Sequence, residues 1–337
     1  MKKIGIYTLA NDVVCDQLVA LINSIEANVS LDIPICIIPY DQRLDLVKQF
    51  VNSRENITLY DNWESLQRWD KFAEEVWAAH PAAKQTNLTR NAWYKSPLLR
   101  KLAAYDGEFE QFVFYDADSL AMKPLDSVWQ KLETYDFVFD DWEHIKPRET
   151  AALDLALIEA SGLYQEKDIR PKLHCSSFFA SKQGIFSPEE MLMMKKLLIE
   201  QGEIAWVTRW WDDAFLFNYL TLRCHRPFFN FTLSPNGQEK TGNCANADPF
   251  VNIDNVLYNK DGLKPIHRLH YMGYTPTDFA RLSRGEDVNI RYRDEFLYYR
   301  FLKQPEQKPQ HLKPPSLLSK TNRFLQKVTK KVQRTIS

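Results

Sequence analysis

The chain has 337 residues, a formal net charge of −1, 45% hydrophobic and 26% charged residues. This is globular composition, enough for one large domain or two ordinary ones, and the charge balance carries no whole-chain nucleic-acid signature. Five scattered cysteines (15, 36, 175, 224, 244) without a C-x-x-C pair argue against a disulfide framework or zinc cage and fit a reducing, cytoplasmic setting.

MKKIGIYTLAND has too short an apolar run for a signal-peptide core, and no stretch approaches a membrane span. KIGIYTLA reads as a first strand. In the segment after it Val14, Leu18, Leu21, Ile22 and Ile25 share one helical face. IPICIIPY reads as a buried strand, LDLVKQFVN as a short helix and NITLY as a third strand. This rhythm predicts a parallel α/β sheet. Next come a polar helix, WESLQRWDKFAEEVWAAHP, and a helix interrupted near Pro97 that leads into the strand FVFYDADSL. YDFVFDD and HCSSFFASKQG read as further strands, and AALDLALIEASG as a helix ending at Gly162. SPEEMLMMKKLLIEQG has Ser187 as cap, Pro188 at the first position and Gly202 past the end, a helix bounded at both ends. WWDDAFLFNYLTL reads as an aromatic helix, and residues 225–275 as short strands and loops.

Asp116 and Asp118 follow the apolar run of FVFYDADSL. Residues i and i+2 of an extended chain point the same way, and the carboxyl end of a parallel strand is where open α/β sheets bind ligands. Two converging carboxylates repel unless a cation lies between them. Mg²⁺ and Mn²⁺ take such oxygens and share them with substrate phosphates. A turn with two solvated aspartates is the bland alternative, since D-x-D alone is a weak motif.

Five segments in order resemble the glycogenin- and galactosyltransferase-like enzymes of glycosyltransferase family eight: YTLAND (7–12), FVFYDADSLAMKPLD, CSSFFASK (175–182), WDDAFLFN (211–218) and LHYMGYTP (269–276). The resemblance spans about residues 1–285 and implies a GT-A-like α/β fold, a mixed, mostly parallel central sheet flanked by helices. It implies a catalytic domain over 1–300, with a nucleotide-binding half to about 120 and an acceptor half from 121; the composition then changes to a Pro/Gln-rich linker (301–315) and a basic amphipathic tail (316–337). Mn²⁺ (or Mg²⁺) is expected on Asp116, Asp118 and His270, with His267 and His174 as competing ligands. Thr8, Ala10 and Asn11 are expected at the nucleoside, Lys95 (with Arg100 a turn on), Ala117 and Gly273 at the donor phosphates, and Asp212 or Asp213 on the donor sugar, beside Trp210 and Trp211. The implied reaction is transfer of a hexose from a nucleoside-diphosphate sugar, a UDP-sugar, with retention, to an unassigned saccharide, lipid-linked or protein acceptor.

Several positions depart from the family pattern. Val14 stands where a base-stacking aromatic is common, Cys175 where Asn begins the acceptor-side strand, Asp212-Asp213 for Asp-Gln, and Thr275-Pro276 for Lys-Pro. Arg268 and Arg281 are candidate replacements for that lysine. From Lys313 onward the chain has seven basic residues and no acid. Apolar residues recur among them at near-helical spacing, which suits an anionic membrane surface and a peripheral location. Two other readings stand beside the transferase: a haloacid-dehalogenase-like phosphatase with Asp116 as nucleophile, and a degenerate sugar-nucleotide-binding protein.

Overall fold

Strand β1 (Ile4–Ala10) is buried along almost its whole length, as an apolar run flanked on both sides by other strands must be. Helix α1 (Cys15–Asn28) turns Leu18, Leu21, Ile22 and Ile25 into the core, the face its spacing predicts. The structure, a computed structural model, describes residues 2–84, 96–145, 153–207, 214–233, 243–246 and 249–314. After α1 come β2 (Ile35–Pro39), α2 (Asp45–Val51), β3 (Ile57–Leu59) and α3 (Trp63–Ala79). A run of 3-10 turns, Ser96–Asp106, leads to β4 (Gln111–Asp116) and β5 (Ser119–Ala121). Then follow α4 (Asp126–Leu132), β6 (Phe137–Phe139), α5 (Leu155–Ala160), α6 (Glu166–Ile169), β7 (Phe178–Lys182), α7 (Pro188–Ile199) and α8 (Ala214–Arg223). The last elements are β8 (Phe228–Asn230), β9 (Phe250–Ile253), β10 (Val256–Asn259), β11 (Arg268–His270), α9 (Pro276–Ser283) and α10 (Arg293–Arg300).

The central sheet has seven strands in the order β3-β2-β1-β4-β7-β6-β8. Its pairings are parallel except where β7 runs antiparallel to β4 and β6. This is the mixed, mostly parallel sheet between helices that the sequence leads one to expect. One face packs on α3, the 3-10 run, α7 and α8, and the other on α1, α2 and α4. The α7 boundary is as predicted: Ser187 and Glu190 form a capping box and Pro188 sits in the first turn.

A third core patch joins β5, β11, α9 and α10. There the two-stranded ladder of β5 with β11 sets His270 opposite Ser119. Helix α1 fixes that ladder from behind. Ser24 Oγ accepts from Ala121 N at 2.8 Å, and Asn28 Nδ2 donates to the Ala121 carbonyl at 2.7 Å. α10 closes over the same helix, with Asn23 Nδ2 donating to the Tyr299 carbonyl at 2.7 Å. The segment after α10 is tied back at Lys313, whose N donates to Gly285 O at 2.8 Å and whose carbonyl accepts from Asp287 N at 2.7 Å. Residues 316–337 of the basic tail lie outside the described residues.

Candidate active site

Asp116 ends β4 at the carboxyl edge of the parallel strands, level with Leu9 of β1. Its N–H donates to the Ser177 carbonyl at 2.9 Å. Two residues on, the Asp118 carbonyl accepts from Tyr271 N at 3.0 Å, which ties the turn to the residue after β11. Ligand atoms of Asp116, Asp118 and His270 consequently lie within 4.8 Å of one another. His270 is buried and both aspartates are half-buried.

His270 Nε2 stands 3.3 Å from Asp118 Oδ1. Burial works against charge on the ring, but the Asp118 carboxylate and a Cys244 hydrogen bond outweigh it and push His270 up to about 9. Burial likewise opposes the charge on Asp118, yet His270, Lys101 and Arg268 hold that carboxyl below its usual range. Asp116 is balanced separately. Lys101 Nζ, almost fully buried, donates to Asp116 Oδ1 at 2.9 Å and to the Ser176 carbonyl at 3.2 Å. Each aspartate thus has its own internal cation. Two carboxylates and an imidazole converging from two distant chain segments fit a divalent ion such as Mn²⁺, whose chemistry takes oxygen and imidazole ligands together.

A cavity of about 390 Å³ opens beside this cluster. Ala10, Asn11, Asp116, Ala117 and Asp118 line it, as expected, together with Val14, Tyr40, Arg43 and Tyr274. Asn11 is held by its side chain, which donates to Asp41 Oδ2 at 2.9 Å and accepts from Val13 N at 3.1 Å. Thr8 lies elsewhere: it is fully buried inside β1 and is not among the lining residues. Gly273 sits in the turn after β11 with φ +90, a conformation that glycine adopts without strain; its neighbour Tyr274 reaches the cavity.

A second cavity, about 350 Å³, lies across His270, lined by Asp141, Trp142, Glu143, Ser177, Asn243 and Arg268 among others. Burial pushes the Asp141 carboxyl up to about 8, against hydrogen bonds from Glu143 N and Cys175 N.

Of the alternative histidines, His267 is fully buried and stacks on Phe178. His174 bonds Thr221 Oγ1 at 2.8 Å and stacks on Phe139. Neither belongs to the carboxylate cluster. Arg281 of α9 pairs with Asp278 on the same helix and with Glu286 just past its end, and Arg268 pairs with Asp140 at 3.1 Å. Arg100 is engaged by Asp70 and by the Pro39 and Tyr40 carbonyls. Lys95, Trp210, Trp211, Asp212 and Asp213 lie outside the described residues. Lys101 joins the site without belonging to any of the motifs above. Its signal is a lysine inside the apolar run LLRKLAAY, where a buried ammonium needs a partner.

A D-x-D cluster thus lies at the carboxyl edge of a mixed α/β sheet, between two cavities. No family model matches the chain, and no curated protein matches it; solved structures do. An active-site mutant of LgtC superposes with a TM-score of 0.50 at 14% identity, covering 88% of this chain and 94% of LgtC. The galactosyltransferase LgtC in complex with donor and acceptor sugar analogues gives 0.48 at 12% identity over 88% and 95%. The bifunctional glycosyltransferase WbbM, in its apo structure, gives 0.49 at 12% identity over 91% of this chain and 52% of WbbM, so the chain spans about half the length of that protein. The likeness to LgtC establishes the fold: this chain has the α/β architecture of that galactosyltransferase.

Proposed function

We propose that the chain is a metal-dependent glycosyltransferase that moves a hexose from a nucleoside-diphosphate sugar, a UDP-sugar, to an acceptor, with retention, as family eight resemblance implies. The observation that carries this reading is the convergence of Asp116, Asp118 and His270 within 4.8 Å between two cavities of the LgtC fold. LgtC itself is a galactosyltransferase studied with donor and acceptor sugar analogues.

Mn²⁺, or Mg²⁺, bound there supplies Lewis-acid stabilisation of a leaving diphosphate. Asp116, Asp118 and His270 would hold it. Ala10 and Asn11 border the cavity on the strand side and would hold the nucleoside, while Tyr40 and Tyr274 supply the aromatic faces that Val14 does not. Lys101 positions Asp116 and adds a fixed positive charge next to the phosphates. Gly273 leaves backbone room on the other side. Asp212 or Asp213 orients the donor sugar, with Lys95 near its phosphates. The second cavity, with the Trp142 ring and the polar groups of Asp141 and Asn243, receives the acceptor. The basic tail brings the domain to an anionic membrane surface as a peripheral, cytoplasmic enzyme. The phosphatase reading is not favoured, because D-x-D lies on the fourth strand of this fold rather than near the chain start.

The test is a thermal-shift screen of nucleoside diphosphates and their sugars with and without Mn²⁺, repeated on Asp118→Asn. We expect Mn²⁺-dependent stabilisation and sugar transfer in the wild type, and loss of both in the variant with its fold intact. Full turnover in Asp118→Asn would end the metal assignment. Binding without transfer to any saccharide or lipid-linked acceptor would favour a sugar-nucleotide-binding protein instead.

A further inference from the structure

β11 has a second neighbour besides β5. Residues 243–246 run along it as a short parallel bridge, with Cys244 opposite His270. His270 N donates to the Asn243 carbonyl, and Ala245 N donates to the His270 carbonyl at 2.9 Å. Residues opposed in a ladder carry their side chains on the same face, so the bridge puts the Cys244 thiol on the imidazole's side of it. The ring has two nitrogens. Nε2 faces Asp118 Oδ1 at 3.3 Å, which leaves Nδ1 for the sulfur. Cys244 stays outside the set of ligand atoms gathered within 4.8 Å.

The bridge is fixed in place at both ends. Asn243 Nδ2 donates to the Asp140 carbonyl at 3.2 Å, and Asn246 Nδ2 donates to the Met272 carbonyl at 2.8 Å. The Cys244 side chain is only half-buried and lines the second cavity, so it can be changed without opening a hole in the core.

We propose that Cys244 is a positioning residue for the metal centre: its sulfur accepts the Nδ1 proton of His270, fixing the tautomer that leaves Nε2 free to ligate. The inference rests on the metal reading above and adds the residue that aims its imidazole ligand. A histidine that binds metal through one nitrogen needs a partner at the other, and losing that outer partner costs about 10- to 100-fold in metal affinity.

The experiment is Mn²⁺ titration calorimetry on the full chain, comparing wild type, Cys244→Ala and Cys244→Ser, with ¹⁵N NMR of the histidine rings in the metal-free proteins. We expect Cys244→Ala to bind Mn²⁺ about 10- to 100-fold more weakly at an unchanged melting temperature. Cys244→Ser, which keeps a hydrogen-bonding atom, should recover most of the affinity. In the metal-free wild type the Nδ1 proton of the His270 ring should exchange slowly with solvent, and more quickly in Cys244→Ala. Equal Mn²⁺ affinity in Cys244→Ala and wild type overturns the proposal, as does a serine variant no better than alanine. A wild type that takes up no Mn²⁺ defeats the metal reading and this inference with it; wild-type uptake unaffected by the substitutions defeats the inference alone.

Discussion

Lys101 and Asp116 pose a choice at the level of single charges. The ammonium occupies one side of a carboxylate that a divalent ion would also use, so it opposes a bare cation and favours a bound diphosphate. Lys101→Met keeps the buried stem and removes the charge. Through a low-dielectric site that charge acts strongly. We expect Mn²⁺ alone to bind roughly tenfold tighter and nucleoside diphosphate with Mn²⁺ roughly tenfold weaker, a tenfold change being about 1.4 kcal/mol. Calorimetry with and without nucleotide reads the two signs; shifts in the same direction would remove Lys101 from the phosphate side. His270 gives a second residue-scale expectation. Held up to about 9 in the metal-free chain, the ring is protonated at neutral pH, and a protonated imidazole cannot ligate. Mn²⁺ must displace that proton, so apparent affinity rises with pH by up to about tenfold per unit and levels off above the raised value. For the metal-free fold the sign is opposite. The raised value stabilises the folded chain fully below the ordinary imidazole value of 6.5 and is lost as pH rises through about 9. Binding isotherms at several pH values check the first effect and denaturant midpoints the second. An Mn²⁺ affinity flat across that range would take His270 out of the ligand set.

Among the elements, the strands with long apolar runs were legible because burial on both faces leaves no polar alternation to misread. β1 and β2 lie within KIGIYTLA and IPICIIPY, while FVFYDADSL, one strand by its sequence, divides into β4 and β5 at the turn that carries the aspartates. The direction of β7 was not legible, since an apolar run carries no arrow, and only the fold reveals that it runs against β4. β5 and β11 are three residues each, too short for periodicity, and their pairing joins distant parts of the chain. His270 was nevertheless legible as a candidate from its own motif, whereas the ladder that delivers it was not. α9 did leave a mark: Thr275 and Asp278 form a capping box around Pro276, at the Thr-Pro that stands where the resemblance leads one to expect Lys-Pro. A prediction belongs at this scale too. Gly5 of β1 faces the buried Phe109 ring so closely that an added Cβ would stand 2.4 Å from it, and the ring is wedged against Tyr7, with centroids 4.8 Å apart. Gly5→Ala forces overpacking between β1 and the turn before β4, and should cost about 1–3 kcal/mol in urea unfolding. A variant as stable as wild type would mean that this junction repacks freely.

At the scale of the whole molecule, the route of the chain after α10 matters more than its composition. Residues 301–314 return to the turn after α9, where Lys313 bonds Gly285 and Asp287. α9 begins at Pro276, on the rim of the cavity beside the D-x-D cluster, and its eight residues span about 12 Å at the helical rise. The six basic residues that follow Pro314 (Lys320, Arg323, Lys327, Lys330, Lys331 and Arg334) are therefore joined to the domain about one helix length from that cavity. Each contributes about 1 kcal/mol near an anionic bilayer at moderate salt, so the tail as a group suffices for reversible attachment if most of them reach the surface. Among the described residues no helix is long and apolar enough to cross a membrane, and the expected attachment is peripheral and salt-sensitive. The full chain should sediment with phosphatidylserine-containing vesicles at low salt, release as salt is raised, and remain in solution with neutral vesicles. A chain ending at residue 314 should lose sedimentation while keeping its melting temperature and its Mn²⁺-dependent nucleotide binding, because the residues that form both cavities precede that point. Transfer to a lipid-borne acceptor should then fall in the shortened chain, while transfer to a water-soluble analogue should not. Equal partitioning of the two chains onto anionic vesicles would assign the surface to the domain itself and leave the tail without this role.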